Sequence, residues 1–148
     1  MTEVTAQHLA EQICTYLYEQ DYASQMLGIQ ISQILPGEVM LTMPVRQDMM
    51  NGMNICHGGI ISALADTALA FACNTENILS IVSSFTMEFI LPAQQGDVLA
   101  TSTKAIAKTG RTMLYDVNVY NQHQQLIATL RGRVQRLLGK AVLNQTRG

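Results

Sequence analysis
The segment Ile60 to Asn74, IISALADTALAFACN, constrains the fold more than any other part of the chain. Its alanines and leucines favour helix, and no β-branched run opposes them. Apolar residues surround that helix on every side, so it is expected to be buried. The apolar run from Ile60 to Cys73 is interrupted by Asp66 and is too short to span a bilayer. Gly58-Gly59 opens the helix. The rest of a 148-residue chain must then wrap around it.

On both sides of the helix the sequence supplies such a wrapping. Thr5 to about Tyr18 reads as an amphipathic helix, with Leu9, Ile13 and Leu17 on one face and Thr5 as N-cap. Asp21 to Leu27 reads as a short second helix ended by Gly28. Ile29 to Leu35 is β-like, Pro36-Gly37 turns, and Val39, Leu41, Met43 and Val45 alternate along a strand whose end carries Pro44. Arg46 to Cys56 is a polar, Met-rich loop. Beyond the central helix the period becomes two. Strands are expected from Ile81 to Leu91, Val98 to Lys108, Met113 to Val119 and Leu126 to Leu137, with turns at Pro92–Asp97, Thr109-Gly110 and Asn121–Gln125. Short turns predict four successive antiparallel neighbours. The expected architecture is α+β: one domain over 1–148, an N-terminal helix at about 5–18, and one antiparallel sheet around a central helix at about 59–74.

Composition narrows the function classes. With 48% apolar and 14% charged residues the chain is not disordered, and apolar surface is expected to meet a partner subunit. A net charge of −2 argues against a general nucleic-acid binder. The opening MTEVTAQ lacks a basic region followed by an apolar one, so no secretory leader is expected, and no membrane span. Cys14, Cys56 and Cys73 are odd in number, widely spaced and without a CxxC. They predict neither a disulfide framework nor a zinc site, and they fit a reducing cytoplasm. None of the three histidines has the spacing of a metal ligand, so no metal is expected.

The charges are segregated. Before residue 101 ten acids meet one base, Arg46, for a balance of −9. After residue 100 the bases Lys104, Lys108, Arg111, Arg131, Arg133, Arg136, Lys140 and Arg147 meet one acid, Asp116, for +7. A basic third on an acidic protein either holds a phosphorylated small molecule or attracts the acidic part within or between subunits.

Two features carry chemistry. His57-Gly58-Gly59 enters the apolar helix, whose first amides lack internal partners and sit at its positive end. They can bind an oxyanion, or the motif is simply a tight loop into a buried helix. Asp66 is the one carboxylate in that helix. Buried without partners it costs several kcal/mol, so it either reaches a solvated site as base or nucleophile, or binds a loop amide structurally. Gly58 and Asp66 stand eight residues apart, about 12 Å at 1.5 Å per residue. One carbonyl cannot touch both in one chain. If both act, Asp66 must come from a second copy, which predicts a two-fold dimer with two composite sites. A Cys56 nucleophile lacks an orienting third group. No GxSxG elbow, P-loop or dinucleotide fingerprint occurs.

The run from Asn51-Gly52 through Cys56-His57-Gly58-Gly59 to Leu64-Ala65-Asp66 and Ala72-Cys73-Asn74 resembles the signature of hotdog-fold acyl-CoA thioesterases, in particular the phenylacetic-acid-degradation (PaaI-type) branch. The resemblance extends to Leu27-Gly28-Ile29, Phe89-Ile90-Leu91-Pro92, Lys108-Thr109-Gly110-Arg111 and Arg131-Gly132-Arg133, and so covers nearly the whole chain. It implies a hotdog fold and hydrolysis of an acyl-CoA, of aryl-acetyl type, with CoA as part of the substrate and no separate cofactor. It implies that Asp66 is the catalytic carboxylate, that the Gly58 amide polarises the thioester carbonyl, and that Asn51 and His57 support them. Ser83 or Ser84 matches a strand serine near the attacking water. Gly59, Thr67, Lys108, Gly110 and Arg111 are implied to contact substrate. Homodimers pairing into homotetramers, with CoA across subunit surfaces, also follow from the resemblance. Two alternatives stay open: a hydratase or dehydratase of the same fold, using His57 and Asp66 as acid and base, and a non-catalytic acyl-CoA-binding protein.

Overall fold
The computed structural model describes residues 4–144. The chain runs α1 (Ala6–Gln20), α2 (Tyr22–Met26), β1 (Gln30–Leu35), β2 (Glu38–Pro44), a 3-10 turn (Gln47–Met49), α3 (Gly58–Asn74), β3 (Ser80–Phe89), β4 (Val98–Thr109), β5 (Thr112–Tyr120) and β6 (Leu126–Arg136). Thr5 caps α1 by accepting from the His8 amide at 3.2 Å. Asp21 joins two helices: it ends α1 and caps α2, with its Oδ1 accepting from the Ser24 amide at 3.0 Å. Gly28 then turns the chain into β1 with φ +72°, a conformation a side chain rarely adopts.

The six strands form one antiparallel sheet in the order β1-β2-β4-β5-β6-β3. This corrects the expectation of four successive neighbours, because β3 pairs with β6 and not with β4. The physical reason lies in residues 90–97, which bridge rather than turn. Their backbone reaches β6 through Ile90 N–H to Ile127 O (2.8 Å), the loop before α3 through Cys56 N–H to Ala93 O (2.8 Å), and the end of β2 through Gly96 N–H to Val45 O (2.9 Å). The segment places its hydrogen bonds on other elements and so carries the chain from one side of the sheet to the other.

The sheet curls around α3, which is the hotdog arrangement. Leu64, Leu69 and Phe71 of α3 share one core with Leu41, Met43, Tyr115, Val117 and Leu130 from the strands. Each such side chain contributes roughly 1.5–3 kcal/mol by leaving water. A Cβ at position 132 would overlap Leu69 Cδ2, so Gly132 is what lets α3 lie close to β6. The expectation that α3 is buried on every side is corrected, however. Ser62, Ala63, Asp66, Thr67 and Ala70 are only half-buried. They recur every three to four residues and form one partly open edge of small or polar side chains along the helix.

Candidate active site
Three places in the fold carry the residues singled out above. The first is the start of α3. His57 is its N-cap: the ring Nδ1 accepts from the Gly59 amide at 3.0 Å, while the His57 carbonyl accepts from Ile60 and Ile61. His57 Nδ1 therefore carries no proton, and the Gly59 N–H is occupied within the chain. Any contact of Gly59 with substrate would therefore be made without its amide donor. The Gly58 amide, by contrast, has no acceptor among the described residues and points from the positive end of the helix.

Asn51 shapes the loop in front of it. Its Oδ1 accepts from the amides of Met53 (2.9 Å) and Ile55 (3.3 Å), which leaves its side-chain NH2 as a donor. Asn51 and Gly58 share a cleft of about 390 Å³ whose other walls are apolar, among them Ile55, Ile61, Phe89 and Leu91. The Phe89 ring lies against Gly58, 3.1 Å from where a Cβ would stand. Sequence reasoning misses Phe89 as a site residue, and only its place in the Phe89-Ile90-Leu91-Pro92 run signals it. A wider groove of about 810 Å³ lies along α1 beside Asn77 and Leu143 and contains none of these residues.

The second place is the half-open edge of α3. Asp66 stands at its middle, half-buried, with no hydrogen-bond partner among the described residues. Its carboxyl is pushed above the ordinary range, first by burial and then by the negative charge of Asp21. A carboxylate so placed is a stronger base and nucleophile than one in water. Thr67 donates to the Ala63 carbonyl at 2.7 Å and sits 3.3 Å from Ser24 of α2. His57 lies nine positions before Asp66, about 13 Å along the axis, so the two do not form an acid–base pair within one chain.

The third place is the β4–β5 hairpin, where Gly110 takes φ +56°. Lys108 donates to Glu76, just past the end of α3, at 3.0 Å, and Arg136 reaches the same carboxylate at 3.1 Å. Part of the charge segregation is thus matched within the subunit, through a Glu76 that the sequence did not single out. Arg131 pairs instead with Asp116 at 2.7 Å. The Arg111 side chain has no partner among the described residues, and Arg147 lies outside them. The hairpin and Gly58 flank opposite ends of α3, roughly 24 Å apart by its 17 residues.

The strand serines separate. Ser83 is the extra residue of a bulge between Val82 and Ser84, and its hydroxyl donates to the Arg133 carbonyl at 3.1 Å. Ser84 lies opposite Arg133, on the face of the sheet turned away from α3, beside Thr86 and Arg131. The bulge settles a register that alternation alone left open, with Ser84 on the side of the sheet away from α3. Among the described residues no group of three His, Cys, Asp or Glu side chains is placed to hold a metal ion, and no helix is long and apolar enough to cross a membrane.

Known proteins share this fold. Residues 53–128, from the loop before α3 into β6, match the thioesterase superfamily. The chain is 36% identical over 132 residues to the acyl-coenzyme A thioesterase PaaI of Escherichia coli (strain K12), covering 89% of this chain and 94% of that one. The chain belongs to the thioesterase superfamily. Among solved structures, the E. coli PaaI protein from the phenylacetic acid degradation operon superposes with a TM-score of 0.89, at 35% identity, over 93% of this chain and 99% of that one. A mutant of the phenylacetic acid degradation protein PaaI from Thermus thermophilus gives 0.76 at 31% identity, over 79% and 100%. This thioesterase is therefore a PaaI-like hotdog protein, as the HGG…LAD…ACN pattern implied.

Proposed function
We propose that this thioesterase hydrolyses acyl-CoA thioesters, of the aryl-acetyl type, to free acid and CoA, in homodimers whose two sites each combine Gly58 of one chain with Asp66 of the other. The thioester oxygen accepts from the Gly58 N–H, where the positive helix end stabilises the charge that develops on it. The partner's Asp66 delivers the nucleophile, either as its own carboxylate or as a water it deprotonates. The bond from carbonyl carbon to sulfur breaks. When water attacks, the proton Asp66 takes from it passes to the leaving sulfur. When the carboxylate attacks, water then opens the resulting acyl anhydride, giving the free acid and returning Asp66. Either way CoA leaves as the thiol. Asn51 supports the carbonyl with its free NH2, and His57 holds the loop by capping α3.

One observation carries this reading: an unbonded Gly58 amide and an unpartnered Asp66 about 12 Å apart on one rigid helix. Two features support a second copy. β3 is a ten-residue edge strand with Ile81, Phe85 and Phe89 exposed, continued by exposed Ile90 and Leu91. The other edge, β1, is shorter, bulged between Ile31 and Gln33, and packed by α1. An open apolar edge is the one expected to pair. A two-fold axis that sets Gly58 opposite the partner's Asp66 must pass at the level of Ser62, midway between them. Ser62 touches Met87 at 3.2 Å, in the middle of the exposed Phe85–Leu91 stretch.

The same symmetry bears on the CoA phosphates. Asp66 lies about 12 Å from the hairpin end of its own helix, half the distance from Gly58, so the chain that supplies Asp66 also supplies Lys108, Gly110 and Arg111. Pairing of dimers into homotetramers, and a cytoplasmic setting, belong to the same proposal.

Complementation tests the reading. Asp66→Ala chains and Gly58→Pro chains, each inactive, are mixed under conditions of subunit exchange and assayed on phenylacetyl-, hydroxyphenylacetyl-, benzoyl- and aliphatic acyl-CoAs. Random mixing makes half the dimers hetero, each with one intact site, so activity returns to roughly a quarter of the unmodified rate, highest on aryl-acetyl-CoA. No recovery between folded, exchanging chains would place the site in one chain. A flat substrate profile would overturn the aryl-acetyl assignment.

A further inference from the structure
The cleft between the loop before α3 and the segment after β3 holds a side chain that the proposed chemistry does not use. Phe89 is the last residue of β3 and pairs with Ala128 of β6. Beyond it the chain leaves the ladder: the amides of Ile90 and Leu91 both donate to the Ile127 carbonyl, at 2.8 and 3.2 Å. Farther on, the Cys56 amide donates to the Ala93 carbonyl at 2.8 Å and ties the two walls of the cleft together. The backbone around Phe89 is thus fixed, while the residue itself is 52% exposed and lies outside the buried core.

Two contacts set where its ring stands. Met87 Sδ accepts from Ser62 Oγ at 3.2 Å, and the tip of the Phe89 ring lies 3.1 Å from where a Gly58 Cβ would stand. Met87 and Phe89 are neighbours on one face of β3, a step of about 6.6 Å. Ser62 and Gly58 are neighbours on one face of α3, a step of about 6 Å. The matching steps lay this face of β3 along α3 and carry the ring across the helix start, beside the Gly58 amide. The cleft of about 390 Å³ has two free donors, that amide and the Asn51 NH2. Ile55, Ile61, Leu91 and Pro92 are among its other walls, and no charged side chain lines it among the described residues. Two donors match one carbonyl oxygen, which accepts twice. The apolar walls match what is bonded to that carbonyl carbon. An acyl group ending in a carboxylate would lose its hydration there and gain no partner.

We propose that Phe89 is a specificity-determining residue of this thioesterase: its ring is the wall that sets how bulky an acyl group the cleft takes, and the cleft takes uncharged acyl groups only. The proposal rests on the Gly58 amide as the site of the thioester carbonyl. The ring suits the task because it touches the helix start on one side and is free on the other, so a change of side chain there alters the width of the cleft and leaves the core intact. An aromatic wall also favours an aromatic acyl group, edge to face.

The test compares the full-length enzyme with Phe89→Ala and Phe89→Trp by kcat/KM on acetyl-, phenylacetyl- and naphthylacetyl-CoA, with thermal melts alongside. Phe89→Ala is expected to raise the ratio of naphthylacetyl to phenylacetyl by roughly tenfold or more. Phe89→Trp is expected to lower the ratio of phenylacetyl to acetyl by a similar factor. A side chain that only holds the segment in place would lower all three alike. Unchanged ratios in two folded variants, or an equal fall on all three substrates, would overturn the proposal. Charge is tested on the unmodified enzyme, where glutaryl-CoA is expected to be hydrolysed roughly 100-fold more slowly than pentanoyl-CoA. Equal rates on those two would overturn the uncharged cleft. The Gly58 reading fails separately: if Gly58→Pro matches Gly58→Ala in rate while the Phe89 ratios shift, Phe89 stands as the wall and only the amide assignment falls.

Discussion
Two substitutions at Gly58 separate the amide donor from the space around it. Gly58→Ala adds a Cβ and keeps the N–H, whereas Gly58→Pro adds a Cβ and removes the N–H. Both Cβ atoms meet the Phe89 ring at 3.1 Å, so the ring must give by a few tenths of an ångström, which an exposed side chain can do. Proline suits the site otherwise. Gly58 is the first residue of α3, its amide has no acceptor among the described residues, and His57 at φ −58°, ψ 130° already has the extended backbone that a following proline demands. Replacing glycine also narrows the unfolded ensemble, by about 0.4–1 kcal/mol. Both variants should therefore fold with stability within about 1 kcal/mol of the parent, a melting shift of no more than about 4 °C. Their activities should differ. An oxyanion donor is worth roughly 100- to 1000-fold in kcat, or about 2.7–4 kcal/mol. Gly58→Pro should fall below Gly58→Ala by that factor in steady-state hydrolysis of an acyl-CoA, with thermal melts recorded alongside. Equal rates in two folded variants would refute the assignment of the Gly58 amide.

Asp66→Asn should abolish most of kcat yet raise the melting temperature at neutral pH. The folded carboxyl is raised above its ordinary 3.8, so the folded state binds the proton more tightly, and the carboxylate destabilises the fold above that raised value. The gain should shrink as pH falls through the window and vanish below about 3.8, as melts from about pH 3 to 8 would show. At the hairpin, neutralising both Lys108 and Arg111 should raise KM more than it lowers kcat, most clearly at low salt. Because Glu76 already matches Lys108, Arg111→Ala alone should raise KM more than Lys108→Ala, which a steady-state salt series measures. Gly132→Ala should destabilise the protein by about 1–3 kcal/mol, since its Cβ would overlap the buried Leu69 side chain. Thermal melts should show Leu69→Val suppressing part of that loss when the two are combined.

Local chemistry made much of this protein legible before any coordinate. The alanine- and leucine-rich run around Asp66 could only be a helix, Thr5 and Gly28 marked helix ends, and alternation marked the strands, because each of these signals depends on neighbours a few residues apart. The 1.5 Å rise per residue was likewise enough to separate Gly58 from Asp66 and to ask for a second copy. What no local rule contained was partnership across long separations. Residues 90–97 look like a turn, and only their bonds to Ile127, Cys56 and Val45 show that they carry the chain past two strands, so that β3 joins β6. The bulge that turns Ser84 away from α3 exists because β3 fits a particular partner. His57 takes the Gly59 amide, and Glu76 gathers Lys108 and Arg136 from 32 and 60 residues away. Ser24, held by Asp21, reaches Thr67 across 43 positions. Periodicity reports which face of an element is apolar. Which polar atoms meet is decided by the closure of the sheet around α3, where hydrogen bonds and charges left over from each element find their partners in space.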